Sequence, residues 1–440
     1  MKLPMNRRTF LQSSATLTAA GLTLPAAAQD RPRTSPPKRA QPPTKKLAVI
    51  TTTYHYLSHS YHIAGRFLNG YMRDDGYHFP DSGIASMYVE QLGPRDLSRD
   101  IAKKNGVRHC ASIEEALTLG TGQLAVDGVL LIAEHGDYPY NAKGQKLYPR
   151  YEMFQKIVEV FKKSGKSVPV FNDKHLSYDR KKAFDMVATA KKMGFPMLAG
   201  SSLPVTWRRP ELELPLNVKL KEAMVVSRGE LEIYGIHALD PLQAMVERRN
   251  PKNQGVASVE YLEGDAVWKA GDAGRWSWDL LEHALGRSQS RNVGDIRENC
   301  SHYQPAVTWG YKGAPSPRAF LVEYSDGLKA SVLQLDGHAA DETFAANVVG
   351  EQKPASTLFW LPPPPGAAFL EALAIHVERF MDTGKPPFPI ERNLLTTGIL
   401  DYALESRVQK KPLVTPDLAE IHYIPPTDSG FMRGTYERPA

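Results

Sequence analysis

Three short stretches of this 440-residue chain gather side chains that can do chemistry. Tyr54, His55 and Tyr56 are followed by His59 and His62, which are three residues apart and so share one face of a helix. Glu134-His135-Gly136-Asp137 and Asn172-Asp173-Lys174-His175 add carboxylates, imidazoles and an amine. Histidine with carboxylate suits zinc, manganese or iron, so a divalent metal is one use for such a group. A polar cleft that hydrogen-bonds sugar hydroxyls without metal is the other. Lys174 has its own chemical claim, because a lysine beside a cleft can exchange a proton with a bound hydroxyl.

The elements that must position these residues are legible as short apolar runs at 47–50, 84–89, 128–133, 168–171 and 197–199, the pattern of parallel strands buried on both faces. Helical patterns alternate with them. One covers 58–68. Another follows Ser112, where Ser112, Glu114 and Glu115 read as a capping box. Two more cover 151–163 and 180–193 and stop at Gly165 and Gly194. This alternation predicts an α/β fold, a Rossmann-like doubly wound parallel sheet over residues 47–203. Ligands of such sheets bind at the carboxyl ends of the strands, and the three reactive stretches lie there.

Residues 204–425 read differently. Strands are expected at 223–226, 256–261, 319–324 and 329–335, with Asp326-Gly327 turning a hairpin. Helices are expected at 237–247, 276–285, 369–381 and 394–407. The prediction is an α+β domain with an open, mostly antiparallel sheet, helices on one face, and a C-terminal tail at 426–440. Trp207, Trp268, Trp276, Trp278 and Trp309 cluster here, for core packing or for stacking on sugar rings.

Composition is that of an ordinary globular chain, 42% apolar and 23% charged. Two cysteines, Cys110 and Cys300, supply neither a disulfide framework nor a cysteine-based zinc site by themselves. The net charge of +6 is misplaced for nucleic-acid binding: residues 1–46 hold nine of the 54 bases and one of the 48 acids, leaving −2 over residues 47–440. Asn6-Arg7-Arg8-Thr9-Phe10-Leu11, an apolar run at 15–24 and Ala26-Ala27-Ala28 read as a twin-arginine signal peptide, residues 1–28, with export to the periplasm or the exterior. Residues 29–46, basic and proline-rich, read as a linker. No apolar stretch of 18 residues follows residue 30, so no membrane association is expected once the signal is removed.

The order of these parts resembles the Gfo/Idh/MocA family of oxidoreductases, over residues 47–418. Three segments carry the resemblance: the strand ending in Asn172-Asp173-Lys174-His175 with the helix after it, Gly235-Ile236-His237-Ala238-Leu239-Asp240, and residues 369–412 with Phe380-Met381-Asp382-Thr383-Gly384-Lys385-Pro386 and Leu404-Glu405-Ser406. The resemblance implies a sugar or polyol oxidoreductase with tightly bound NAD or NADP and Lys174 and His237 as catalytic residues. It places the cofactor against Thr51, Thr52, Thr53, His55, Tyr56, His59, Glu90 and Glu134. It places the substrate against His135, Asp137, Asp173, His175 and Asp240. A homo-oligomer through the second-domain sheet is a further expectation. The chain departs from the family pattern twice: Thr51, Thr53 and Tyr56 stand where glycines are expected, and Ile233 stands where a catalytic Asp is expected. Two other functions therefore stay open: metal-assisted hydrolysis or elimination on a carbohydrate without the dinucleotide, and non-catalytic sugar binding.

Overall fold

The first sheet is built from β1 (Lys45–Thr51), β2 (Ser82–Val89), β3 (Arg108–Cys110), β4 (Gly128–Ile132), β5 (Val170–Asp173) and β6 (Met197–Gly200). In this computed structural model, which describes residues 37–73, 76–249, 254–308 and 311–434, these strands run parallel in the order β3-β2-β1-β4-β5-β6. The expected signal peptide, residues 29–36 of the linker, Trp309 and the last six residues lie outside the described residues. The crossovers are α1 (His59–Asn69), α2 (Ser98–Asn105), α3 (Ile113–Thr118), α4 (Arg150–Ser164) and α5 (Arg180–Met193). Alternate residues of the central strands serve opposite faces. Val49 and Leu130 pack with Ile63 and Phe67 of α1, while Ile50 and Leu131 pack with Phe154 and Ile157 of α4. Helix ends follow their signals: Ser112 Oγ accepts from the Glu115 amide, and Gly165 and Gly194 adopt the left-handed backbone at the ends of α4 and α5. The strand order reverses between β1 and β4, which opens a crevice at their carboxyl ends.

The second sheet has eight strands: β7 (Trp207–Arg209), β8 (Leu220–Ser227), β9 (Val256–Glu263), β10 (Arg318–Tyr324), β11 (Lys329–Gln334), β12 (Glu342–Val348), β13 (Ala355–Trp360) and β14 (Leu413–Val414). Their order is β14-β9-β10-β11-β8-β12-β13-β7. Only the β8–β11 pair is parallel. The turn between β10 and β11 closes through Gly327, whose φ of 86° a side chain would resist. Among the described residues seven helices accompany the sheet: α6 (Leu231–Val246), α7 (Asp265–Asp272), α8 (Trp278–Leu285), α9 (Ile296–Ser301), α10 (Phe369–Thr383), α11 (Ile390–Gln409) and α12 (Pro416–Ala419).

Several expectations change here. Helices cover both faces of the second sheet: α6 and α11 on one, α7 and α8 on the other, where Met224, Val226 and Ala345 meet Leu280, Leu281 and Trp276. Helix α6 begins at Leu231 and not at residue 237. Gly235 lies inside the helix, where a Cβ would come within 2.6 Å of Leu400 Cδ1; its absence lets α6 approach α11 closely. The linker is already docked before β1, since Arg39 donates to the carbonyls of Pro80 and Phe67. The tail is docked as far as residue 434. Met432 N donates to Val205 O, and the Arg208 guanidinium stacks 4.2 Å from the Phe431 ring.

The two sheets belong to one compact unit, Arg39–Ala440. The C-terminal helices explain why. Val377, Phe380 and Met381 of α10 return to Leu47 and Phe67 of the first layer, and Lys45 Nζ donates to the carbonyls of Met381 and Asp382. Among the described residues no helix is long and apolar enough to cross a membrane. Cys110 and Cys300 are both buried and unbridged.

Candidate active site

A cavity of about 670 Å³ lies over the carboxyl ends of β1, β4 and β5, between the two sheets. Strand ends and α1 supply Thr53, His55, His59, Glu134, His135, Asp137 and Lys174. The second sheet and its helix α6 supply Arg228, Ile233, Tyr234, His237 and Glu342. Lys174 and His237, 63 positions apart in sequence, thus line one space, as the topology predicts.

Lys174 is held by a buried ionic group. Its Nζ lies 2.8 Å from Glu134 Oε1, and the other carboxylate oxygen of Glu134 accepts from Arg150 Nη2. All three side chains are at most 4% exposed. Burial alone would raise the Glu134 carboxyl, but the charges of Lys174 and Arg150 outweigh it and hold it well below the usual carboxylate range. Lys174 has a φ of 62°, and its amide donates to Gly200 O at the end of β6. His135 has a φ of 67°. These are two of the seven non-glycine residues with positive φ among the described residues, and both lie at strand ends on the cavity.

His237 is fixed by a different bond. The Ser201 hydroxyl accepts from the Leu203 amide and shares a hydrogen bond with His237 Nδ1, 2.5 Å away. When Ser201 donates in that bond, the ring proton sits on Nε2. Burial, aided by the charge of Lys174, pushes the imidazolium well below its ordinary range, so His237 is a neutral hydrogen-bond donor near pH 7.

The remaining expected residues divide. His59 lines the cavity, and its Nδ1 lies 2.6 Å from Asp173 Oδ2, so Asp173 orients His59 and does not itself reach the space. His175 is buried behind the cavity, with Nε2 2.7 Å from Glu232 Oε1. Asp240 is buried under Ser201, accepting from the Ser201 amide and from Thr396. Thr51 and Thr52 are sealed, their hydroxyls donating to the carbonyls of Ile132 and Glu134. Tyr56 is 58% exposed. Glu90 is exposed, and its carboxylate accepts from the Tyr138 hydroxyl. His62 is buried beside Arg66 and does not line the cavity.

The imidazoles of the cavity stack on one another and do not converge. The His135 ring lies 5.4 Å from that of His55 and 5.3 Å from that of His59, edge to face in both cases. Among the described residues no three of His, Cys, Asp or Glu are placed to share a metal ion. The described tryptophans also stand apart from the cavity. Trp268, Trp276 and Trp278 pack on one another around α7 and α8, and Trp207 packs on Trp360.

Sequence reasoning missed Arg150, Ser201, Tyr148, Arg228 and Glu342. Arg150 carried a faint signal, an arginine at the start of an otherwise amphipathic helix; Ser201 carried one too, following a strand end. The others give no local sign, because strand-to-helix contacts between distant positions leave no periodicity.

No protein-family model matches the chain, and no curated protein matches it. Solved structures do. GenD2 from gentamicin A biosynthesis, in complex with NAD, is similar over 86% of this chain and 99% of its own, at 12% identity and a TM-score of 0.53. The myo-inositol dehydrogenase of Lactobacillus casei, in complex with NAD(H) and myo-inositol, is similar over 84% of this chain and 96% of its own, at 10% identity and a TM-score of 0.52. The myo-inositol 2-dehydrogenase of Lactobacillus plantarum is similar over 85% and 99%, at 11% identity and a TM-score of 0.50. With its parallel sheet ordered β3-β2-β1-β4-β5-β6 and its large mixed second sheet, this chain has the fold of the Gfo/Idh/MocA oxidoreductases.

Proposed function

We propose that the chain is an oxidoreductase that interconverts a hydroxyl and a carbonyl on a sugar or polyol, using a nicotinamide dinucleotide. The observation that carries the reading is the meeting of Lys174 and His237 in one cavity at the strand ends. NAD-bound neighbours of the same fold support it.

The residues present fit the nicotinamide half of such a cofactor. Thr53 Oγ1 and His135 Nε2 are buried without hydrogen-bond partners, and both residues line the cavity. Gly136 keeps the floor low beside them: a Cβ there would come within 3.2 Å of Thr53 Cγ2. The pyrophosphate turn is built in another way than glycines provide. Ser58 Oγ caps α1 and also accepts from the His55 amide, so a hydroxyl serves the helix terminus. Thr53, His55, His59 and His135 are the residues that would hold the group, which supplies hydride acceptance or donation when bound.

The chain's own residues handle the proton and the geometry. Lys174 transfers a proton to the carbonyl oxygen in reduction and takes it from the hydroxyl in oxidation. Glu134 and Arg150 hold the amine in place, so the carboxylate comes from the end of β4, while Ile233 offers the cavity an apolar surface. His237 Nε2–H steadies the same oxygen as charge builds on it. The interface between the two sheets keeps bulk water from the reacting carbon.

The twin-arginine motif leads us to place the protein outside the cytoplasm, with its dinucleotide tightly held because free dinucleotide is scarce there. The reading is tested by adding myo-inositol or D-glucose to NAD-loaded protein and following absorbance at 340 nm. Appearance of reduced cofactor, lost in Lys174→Met, supports it; a cofactor that stays oxidised with every polyol tried contradicts it. A second reading, elimination or hydrolysis on a sugar without dinucleotide, is favoured by the self-capped α1 terminus alone.

A further inference from the structure

Glu342 opens β12 on the wall of the cavity that faces away from the first sheet. It is 2% exposed, and its Oε2 has no hydrogen-bond partner. The other carboxylates of this corner are occupied. Asp336 accepts from the Gly229 amide and pairs with Arg318. Glu230 accepts from the Tyr140 hydroxyl, 2.9 Å away. Asp341 accepts from the Ser288 hydroxyl and the Gln289 amide, 2.7 Å each. An orphaned carboxylate oxygen this deep is costly unless something else supplies a hydrogen. The cavity is where that something would sit.

The position fits a ligand with several hydroxyls. Lys174 and His237 reach the cavity from β5 and α6, and Glu342 reaches it from the sheet of the second half. A polyol between them would present its reacting hydroxyl to the first pair and another hydroxyl to Glu342. We propose that Glu342 is a substrate-binding residue that fixes which hydroxyl is presented for reaction by accepting a hydrogen bond from a second one. This inference rests on the reading of the cavity as a polyol site. The neighbouring charges agree with a neutral ligand here. Arg228 lies on the same wall and draws the Glu342 charge, while Asp341 and the Arg318-paired Asp336 oppose it. Burial raises the Glu342 carboxyl to about 7 even against the pull of Arg228, so near neutrality it can accept or donate.

The test is calorimetric binding of myo-inositol, D-glucose, D-galactose and D-xylose at pH 8 to the purified full chain as isolated, for wild type, Glu342→Gln and Glu342→Ala. The readout is affinity, taken from the saturation curve, and not a rate of turnover. We expect both variants to bind the preferred polyol about tenfold more weakly or worse, the loss set by a hydrogen bond to a charged group. We also expect melting temperatures without polyol that equal or exceed that of wild type, since the lost carboxyl had no partner to lose. Variants that bind within twofold of wild type overturn the inference and leave the polyol reading standing. Melting temperatures that fall together with binding assign Glu342 a structural role and overturn it as well. Wild type that binds none of the four polyols removes the polyol reading and the inference with it.

Discussion

Glu134 Oε1 lies 2.8 Å from Lys174 Nζ, and the carboxylate's second oxygen is taken by Arg150. One anion therefore serves two buried cations, one that faces the cavity and one that does not. Removing the anion and removing the outer cation have different consequences.

Glu134→Gln leaves Lys174 and Arg150 facing each other without a counter-charge. Breaking a buried ionic group in this way costs about 3–5 kcal/mol. Lys174→Met leaves the Glu134–Arg150 pair intact and costs less, while turnover falls by roughly 10²–10⁴. Chemical denaturation of both variants, beside kcat, checks the asymmetry. Equal stability losses would show that Glu134 is not the shared anion.

Ser201→Ala removes the hydroxyl that is hydrogen-bonded to His237 Nδ1. The imidazole is then free to place its proton on either nitrogen, and half-time use of the wrong tautomer, with looser orientation, lowers kcat about tenfold. KM changes little, because no substrate contact is removed. A KM that rises with kcat unaltered would place Ser201 in substrate binding.

Gly235→Ala puts a methyl within 2.6 Å of Leu400 Cδ1. Overpacking between α6 and α11 costs about 1–3 kcal/mol and moves the helix that carries His237. Lower melting together with lower kcat is expected. Leu400→Ala in the same chain restores room, and a cost of Gly235→Ala as large in the Leu400→Ala background as in wild type would contradict the packing account.

His62 is 7% exposed, and burial with the Arg66 charge lowers its pKa to about 4. The unfolded chain takes up a proton here below about 6.5, while the native chain refuses it until about 4. Native stability is therefore lost as pH falls through that window, by about 1.4 kcal/mol per pH unit from this residue. Urea denaturation between pH 6.5 and 4 is expected to show a shallower fall for His62→Asn than for wild type. Parallel slopes would mean that His62 titrates normally.

The fold was legible where its signals are local. Apolar runs of strand length gave β1, β2, β4, β5 and β6, and Gly165 and Gly194 marked the helix ends because no other residue takes their left-handed backbone so readily. The start of α6 was not legible, because Gly235 breaks helices in general and here is required by Leu400, 165 positions away. The outer helices of the second sheet were half seen: α7 has eight residues, too short for periodicity to speak. In the site, Lys174 and His237 were found by type and place. Glu134 was assigned to the cofactor, and its pairing with Arg150 was invisible because the arginine lies a strand-to-helix crossover away. Strands β12 and β13, and Glu342 with them, were missed for lack of alternation, since both faces of that sheet are covered.

The central claim is that the cavity beside Lys174 and His237 holds a nicotinamide dinucleotide although the β1–α1 turn lacks glycine. The most direct measurement is mass spectrometry of the small molecules released when the full chain, produced with its leader and purified, is denatured. The account predicts NAD(H) or NADP(H) at close to one per chain. Absence of both, together with a melting temperature that neither dinucleotide shifts when added at saturating concentration, would contradict it.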